Sequence, residues 1–567
     1  MILPALTWAL AAAAVPIALA PPLPRGATPV LGAMRAEMAH SLGALKAEPV
    51  PPYFLSYEVT ETRSVTVSSA FGALVSSNEG RYRALDVDLR VGSYALDNTH
   101  PVRAGRGSSS ERLAGSVPVP IDDSPDAIRA VLWYQTDRKF KAAVEQLTKV
   151  KTNVQVKVEE EDKSADFCAA PAEVFAEAPR ALTVERKAWE AKIRRYTAPF
   201  ARYGNIYTAR ASLSGEVETR WYVNSEGTLL QTSRPAYRLS INASTKADDG
   251  MDLPRHETFF AFRPEDLPSD EVVLARVEKM IADLQALRAA PIVDPYAGPA
   301  ILSGRAAGVF FHEIFGHRIE GHRQKKADEG QTFKKKLGEP VLPETFKVYS
   351  DPTLDHLGKT SLGGYYLYDD EGVKARRVSL VEGGVLKGFL MARMPIEGFP
   401  ESNGHGRKQV GSAAVSRQSN LIVEAAGALT RPALKARLIE LVKEQDKPFG
   451  LFFDDIQGGF TSTGRLTPNA FNVLPVLVYR IYPDGREELV RGVDLIGTPL
   501  TTFSKVVAAD DSPDVFNGVC GAESGWVPVS AVSPGLLISQ IEVQKKEKAQ
   551  ERPPLLPAPL ESSGKTQ

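Results

Sequence analysis

The sequence predicts an α+β protein in two halves. The first is an N-terminal mixed domain of antiparallel strands and helices; the second is a mainly antiparallel β domain with a histidine-bearing helix at its start. Three observations predict this. Helical and strand periodicities alternate through residues 25–290; a Pro- and Gly-rich stretch, "APIVDPYAGPAIL" (290–302), interrupts both; beyond it short β-rich runs recur between glycine turns, with little helix among them. At 567 residues the chain is long enough for two or more cores.

The elements follow in order. Residues 1–24, "MILPALTWALAAAAVPIALAPPLP", carry no charged side chain and end near the small-residue pattern Ala18-Leu19-Ala20. This predicts a cleaved secretory leader and therefore export to a periplasmic or extracellular space; an uncleaved or unrecognised leader would leave the protein cytoplasmic. No other stretch is apolar over the length of a bilayer, so no membrane span is expected after leader removal. "PVLGAMRAEMAHSLGAL" (29–45) reads as an amphipathic helix. "YFLSYEVTETRSVTVSS" and "RYRALDVDLRVGSY" alternate as strands, and "RAGRGSSSERLAGS" (103–116) reads as a loop. Two helices, "DAIRAVLWYQTDRKFKAAVEQLTKV" and "VERKAWEAKIRRYTAPF", flank a solvated charge run at 159–166. A hairpin turning at Asn224 to Gly227 follows, then the helix 269–290, with Ser269 or Asp270 placed to cap it.

The second half, 291–545, reads as strand, turn and strand through 365–393, with a Gly-Gly turn. One helix occupies "RPALKARLIELVKEQ", and a hairpin pivots on Pro483-Asp484-Gly485. The Pro-rich, polar tail 546–567 is expected to be disordered. Charge is balanced, 68 Lys plus Arg against 69 Asp plus Glu, which gives no electrostatic case for a nucleic-acid partner.

The chemistry concentrates in "FFHEIFGHRIEGH", which holds His312, His317 and His322 with Glu313 after the first. Imidazoles and a carboxylate this close suit a hydrolytic zinc site, in which three protein ligands leave one position open for water and a nearby carboxylate takes the water's proton. The spacing is unusual. Five residues on a regular α-helix turn by roughly 500°, leaving His312 and His317 about 140° apart. A π-bulge, or a break at Gly316, would bring them together, so the spacing predicts an irregular helix. His322 falls beyond the expected helix end. Cys520 in "NGVCGAESGWVPVS" is a candidate third ligand, because glycines on either side of the Val-Cys pair would present its thiol on a tight turn. The alternative is a buried thiol or a disulfide with Cys168, the only other cysteine. His405 and Arg407, in the Gly-rich "SNGHGRK", are candidates to line a cleft and bind substrate carbonyls.

Taken together, "GVFFHEIFGHRIEG" (308–321), "YLYDDEGVKARRVSLVEGGVLKGFL" (366–390), "SNGHGRK" (402–408), "LVRGVDLIG" (489–497) and "NGVCGAESGWVPVS" (517–530) resemble the TldD/PmbA metallopeptidases, in the catalytic TldD-like branch. The resemblance covers most of the second half; in the first it extends only to the coarse α/β pattern. It implies Zn²⁺ held by His312, His317 and Cys520, with Glu313 as the general base acting on a metal-bound water. It also implies a peptide substrate, and a homodimer or a heterodimer with a homologous subunit lacking the metal motif. The β edges of the second half suggest unfolded or short peptides, bound as an added strand. The rival reading is a non-hydrolytic maturation or partner protein with a closed structural zinc site, His322 being the fourth ligand.

Overall fold

The computed structural model describes residues 21–102, 116–156, 162–326, 328–465, 471–546, 552–554 and 556. Residues 1–20 of the expected leader, nearly all of the 103–116 loop and most of the 546–567 tail lie outside the described residues.

The N-terminal half is one seven-stranded sheet covered by helices. Its long strands Ala73–Val91, Pro52–Ala70, Thr208–Asn224 and Leu229–Lys246 are neighbours in that order, all antiparallel. Asp252–Ala261 and the short Val174–Ala176 both pair with Leu229–Lys246. Period-two alternation separates the two faces. Odd-numbered residues such as Leu55, Tyr57, Val67, Leu213, Leu239 and Ile241 meet the helices Pro29–Leu45, Pro125–Val156, Arg186–Thr197 and Asp270–Ala289 in two apolar clusters. Even-numbered polar residues on the other face turn towards the C-terminal half. There Lys408 meets Glu58 at 2.8 Å, Arg220 pairs with Asp370, and Arg238 donates to the Asn517 carbonyl at 3.0 Å. The helix over 270–289 begins with Ser269 at the N-cap position, although the Ser269 side chain makes no capping hydrogen bond.

Two mainly antiparallel sheets build the C-terminal half. The seven-stranded one centres on Tyr296–Leu302, parallel to Gly450–Thr461 on one side and antiparallel to Leu536–Lys545 on the other. The six-stranded one runs through Phe346–Ser350, Asn420–Ala425 and Gly525–Ser533 and ends on Asp514–Ala522, its edge strand. The helix Gly304–Ile314 lies between the two sheets. Val309, Phe310, Phe311 and Ile314 join the largest apolar core. Two glycines allow the close approach on its other side: a Cβ on Gly304 would stand 2.6 Å from the Ser533 carbonyl oxygen, and one on Gly308 3.1 Å from that of Ala531. No helix among the described residues is long and apolar enough to cross a membrane.

Candidate metal centre

Ser303 caps the helix Gly304–Ile314, its Oγ accepting from the Ala306 N–H at 3.2 Å. The helix carries His312 and Glu313 in its last turn and stops at Ile314; Gly316–Arg318 then forms a 3₁₀ turn. The five-residue spacing is therefore met by a change of helix type at Phe315, and not by a π-bulge. The carbonyls freed by the break find side-chain donors. Gln418 Nε2 donates to the His312 carbonyl at 3.3 Å, and Arg318 Nη1 to that of Glu313 at 2.8 Å. Gln418 fills the space over Gly316: a Cβ there would lie 1.9 Å from Gln418 Oε1, so a larger residue would have to displace that buried amide.

The break swings His317 back beside His312. Cys520, 208 residues from His312, arrives on the edge strand Asp514–Ala522, with its Sγ 3.2 Å from His312 Nε2 and 3.3 Å from His317 Nε2. The three ligand atoms lie within 4.8 Å of one another, and all three residues are buried. These separations fit zinc: bonds of about 2.3 Å to sulfur and about 2.05 Å to nitrogen at tetrahedral angles place S and N about 3.5 Å apart. Two imidazoles and a thiolate also match zinc in softness, and three protein donors leave a fourth position for water or substrate.

Electrostatics prepare the ligands. Burial alone would raise the Cys520 thiol's pKa, but His317 and His312 beside it draw it well below the ordinary thiol value. His317 is raised well above the usual imidazole value: burial opposes its charge, and Cys520 and Glu320 outweigh that. Arg417, fully buried, donates from Nη2 to Cys520 Sγ at 3.1 Å and to the Cys520 carbonyl at 2.8 Å. Glu320, also fully buried, stands 3.4 Å from His317 Nδ1 and 2.8 Å from Arg323 Nε. Burial pushes the Glu320 carboxyl up, yet His317, Arg323 and Arg417 hold it at about 2. A charged carboxylate on Nδ1 would keep the proton on that nitrogen, so that Nε2, facing the cluster, is the one to give up its proton to a metal.

Glu313 lines the same cavity of about 610 Å³ as His312, His317 and Cys520. Burial raises its carboxyl above the ordinary value, with the two histidines pulling the other way. A Cβ on Gly459 would come within 2.8 Å of Glu313 Cγ, so the Gly450–Thr461 strand passes directly against the base.

The other candidates fall elsewhere. His322 is fully buried with Nε2 hydrogen-bonded to Glu523, which also accepts from Arg323 at 2.8 Å, so His322 supports the loop and is not a fourth ligand. His405 is fully buried, its Nε2 3.1 Å from Ser350 Oγ, and lines no part of the metal cavity. Arg407 opens on a separate cavity of about 530 Å³ and donates to the Gln418 carbonyl at 2.6 Å. Their Gly-rich loop folds inward: Gly406 packs where a Cβ would meet Glu371 Oε2 at 2.2 Å. Cys168 and Cys520 are both free thiols, which removes the disulfide alternative. Sequence reasoning missed Glu320, Arg417, Gln418 and Gly459. The one local hint was "SRQSN" (416–420), a polar run opening a strand, in which every residue is buried.

With this geometry in place, comparison with known proteins decides the family. The sequence profile of the PmbA/TldA metallopeptidase C-terminal domain matches residues 296–545, and that of the central domain matches residues 157–287. The chain belongs to the PmbA/TldD metallopeptidase family. It is similar to a protein of Methanothermobacter thermautotrophicus named a metalloprotease, 28% identical over 56% of this chain and 65% of that one. A metalloprotease TldD homolog of Haemophilus influenzae is 28% identical over 59% of this chain and 67% of its own length. A zinc metalloprotease TldD homolog of Saccharolobus solfataricus is 26% identical over 48% of this chain and 56% of its own. The chain thus spans between about half and two thirds of these relatives. In fold it is similar to TldE of Thermococcus kodakarensis, with a TM-score of 0.58, 14% identity, and coverage of 90% of this chain and 100% of that one. A Thermotoga maritima protein gives the same TM-score of 0.58 at 17% identity, over 90% of this chain and 99% of the other.

Proposed function

We propose that this PmbA/TldD family member is a zinc-dependent peptidase acting on unfolded or short peptides. The observation that carries the reading is the convergence of His312, His317 and Cys520 with Glu313 on one cavity wall. Zinc, when bound, lowers the pKa of water and polarises a carbonyl. Glu313 is placed to accept a proton from the attacking water on a carboxylate oxygen, and to pass it to the departing amine nitrogen. Its raised pKa makes the carboxylate a stronger proton acceptor for that first transfer. Glu320 and Arg417 fix the ligands, and Gly459 keeps the backbone close enough to hold Glu313 in place.

Peptide binding is supported by the edge strand. Among the described residues, Asp514–Ala522 pairs on one side only, with Gly525–Ser533, and residues 516–523 all line the metal cavity. The Asn517 carbonyl faces away from that partner, towards Arg238, so Asn517, Val519 and Gly521 turn their peptide groups to the free edge. An extended peptide paired there gains main-chain hydrogen bonds without strong sequence preference. Pairing, either with a second copy or with a homologous subunit lacking the metal motif, belongs to the same reading, and light scattering of the protein alone separates the two: a lone monomer favours the heteromeric form, a dimer the homomeric one.

The test is cleavage of a reduced, unfolded protein against its native form. Wild type should cut the unfolded chain faster, and Glu313→Gln should lose roughly two to four orders of magnitude in rate while keeping its zinc. Unchanged cleavage by Glu313→Gln would overturn the reading.

A further inference from the structure

The metal cavity does not end at the cluster. Val519 and Trp526 line both it and the neighbouring cavity of about 530 Å³, so they form the wall where the two meet. Both are open to solvent, Val519 at 48% and Trp526 at 63% exposure. They belong to the hairpin that carries Cys520, whose register places Val519 opposite Pro528 and Gly521 opposite Trp526. The absence of a side chain at Gly521 gives the indole its place: a Cβ there would meet the ring at 2.8 Å. Across the second cavity, Phe262 and Tyr365 stand edge to face at 5.8 Å.

Strand alternation separates this wall from the metal ligand. Cys520 packs with Val527 and Val529 on the buried face of the hairpin, so Val519 and Trp526 present the opposite face. A peptide paired on the free edge would send alternate side chains to these two faces. One set approaches the cluster; the other crosses Val519 and Trp526. Exposed apolar side chains grouped beside a site mark surfaces that gain by being covered.

We propose that Val519 and Trp526 are specificity-determining residues, forming a subsite for a bulky apolar side chain of the bound peptide. This rests on the reading that the metal cavity takes extended peptides. It adds a preference which main-chain pairing alone would not give. The occupant is an aromatic or branched aliphatic side chain, since Trp526 and Val519 offer it an indole and an isopropyl group, while charged side chains such as Glu218, Arg220 and Asp370 line other parts of the second cavity. Covering such a side chain with apolar surface favours binding by about tenfold or more over a polar one of similar size.

Calorimetry on the full-length Glu313→Gln protein tests this without relying on turnover. The probes are Ala/Ser octapeptides that carry a single Phe moved along the chain, and the same hosts with Gln in its place. At one or two positions Phe should bind about tenfold tighter than Gln. Trp526→Ala should bring the two within about twofold while leaving the Gln hosts unchanged, and Val519→Ser should do the same in part. Both side chains are exposed, so the variants should fold, and circular dichroism checks that they do. Equal affinity for Phe and Gln hosts, a Phe preference that survives in both variants, or no peptide binding at all would overturn the proposal. A Phe preference lost in Trp526→Ala would stand even if wild type proved unable to cleave any peptide, in which case only the hydrolytic reading would fail.

Discussion

Replacing Glu320 by Gln should weaken zinc binding by about ten- to a hundredfold without unfolding the protein. Glu320 is fully buried; its Oε2 is hydrogen-bonded to His317 Nδ1 at 3.4 Å and Arg323 Nε at 2.8 Å, and its Oε1 stands 3.5 Å from Arg417 Nε as an ion pair without a hydrogen bond. The amide keeps the shape and removes the charge that aligns His317. Hydrogen bonds to a charged group contribute roughly 1.5–3 kcal/mol, and that range converts to about the ten- to hundredfold loss expected for an outer partner of a metal-bound histidine. Arg323 keeps Glu329 at 2.9 Å and Glu523 at 2.8 Å, which limits the cost to the fold. The assay is competition for zinc against a chromogenic chelator, with circular dichroism to confirm folding. A folded Glu320→Gln protein with affinity within twofold of wild type would show that Glu320 does not hold His317 in its ligating orientation.

Two further predictions concern buried groups, one that ties the halves together and one inside the C-terminal half. Lys408→Met should cost roughly 3–5 kcal/mol in denaturant unfolding, because it leaves the buried Glu58 carboxylate without the ammonium 2.8 Å away; a loss under about 1 kcal/mol would mean that the pair is not buried as described. Burial lowers His405 to about 3, below its unfolded value of about 6.5. Between those values the unfolded chain binds a proton that the folded one refuses. Stability contributed by neutral His405 is therefore complete above pH 6.5 and falls by about 1.4 kcal/mol per pH unit on acidification. His405→Gln should be less stable than wild type at pH 7, with the gap narrowing by about 2 kcal/mol at pH 5; a gap that does not change with pH would contradict the assignment.

How much was legible in the sequence depended on the range of the interaction. The helix over 29–45 and the hairpin turning at Asn224 to Gly227 were readable because periodicity and turn chemistry are local, and the structure has both, as Pro29–Leu45 and as paired strands ending at Asn224 and resuming at Leu229. The odd spacing of His312 and His317 announced an irregular helix, but not its kind. What settles the kind is Gln418, about a hundred residues away, which takes the His312 carbonyl and fills the space over Gly316. Cys520 was a candidate from its flanking glycines, with a buried thiol or a disulfide as alternatives, and only the resemblance chose among these, since no local pattern links it to a helix 208 residues earlier. Glu320 and Arg417 were invisible for the same reason: a buried charge is recognised by its partners, and these partners meet only in the fold. His405 shows the converse. A Gly-rich loop suggested exposure, whereas its glycines serve close packing against Glu371 and the Lys374 carbonyl.

The central claim is that His312, His317 and Cys520 together hold one zinc ion. Elemental mass spectrometry of purified wild type, Cys520→Ser and His317→Ala tests it most directly. The account predicts about one zinc per chain in wild type and its loss, or severe weakening, in both variants. A full complement of zinc in Cys520→Ser, or none in wild type purified without chelator, would contradict it.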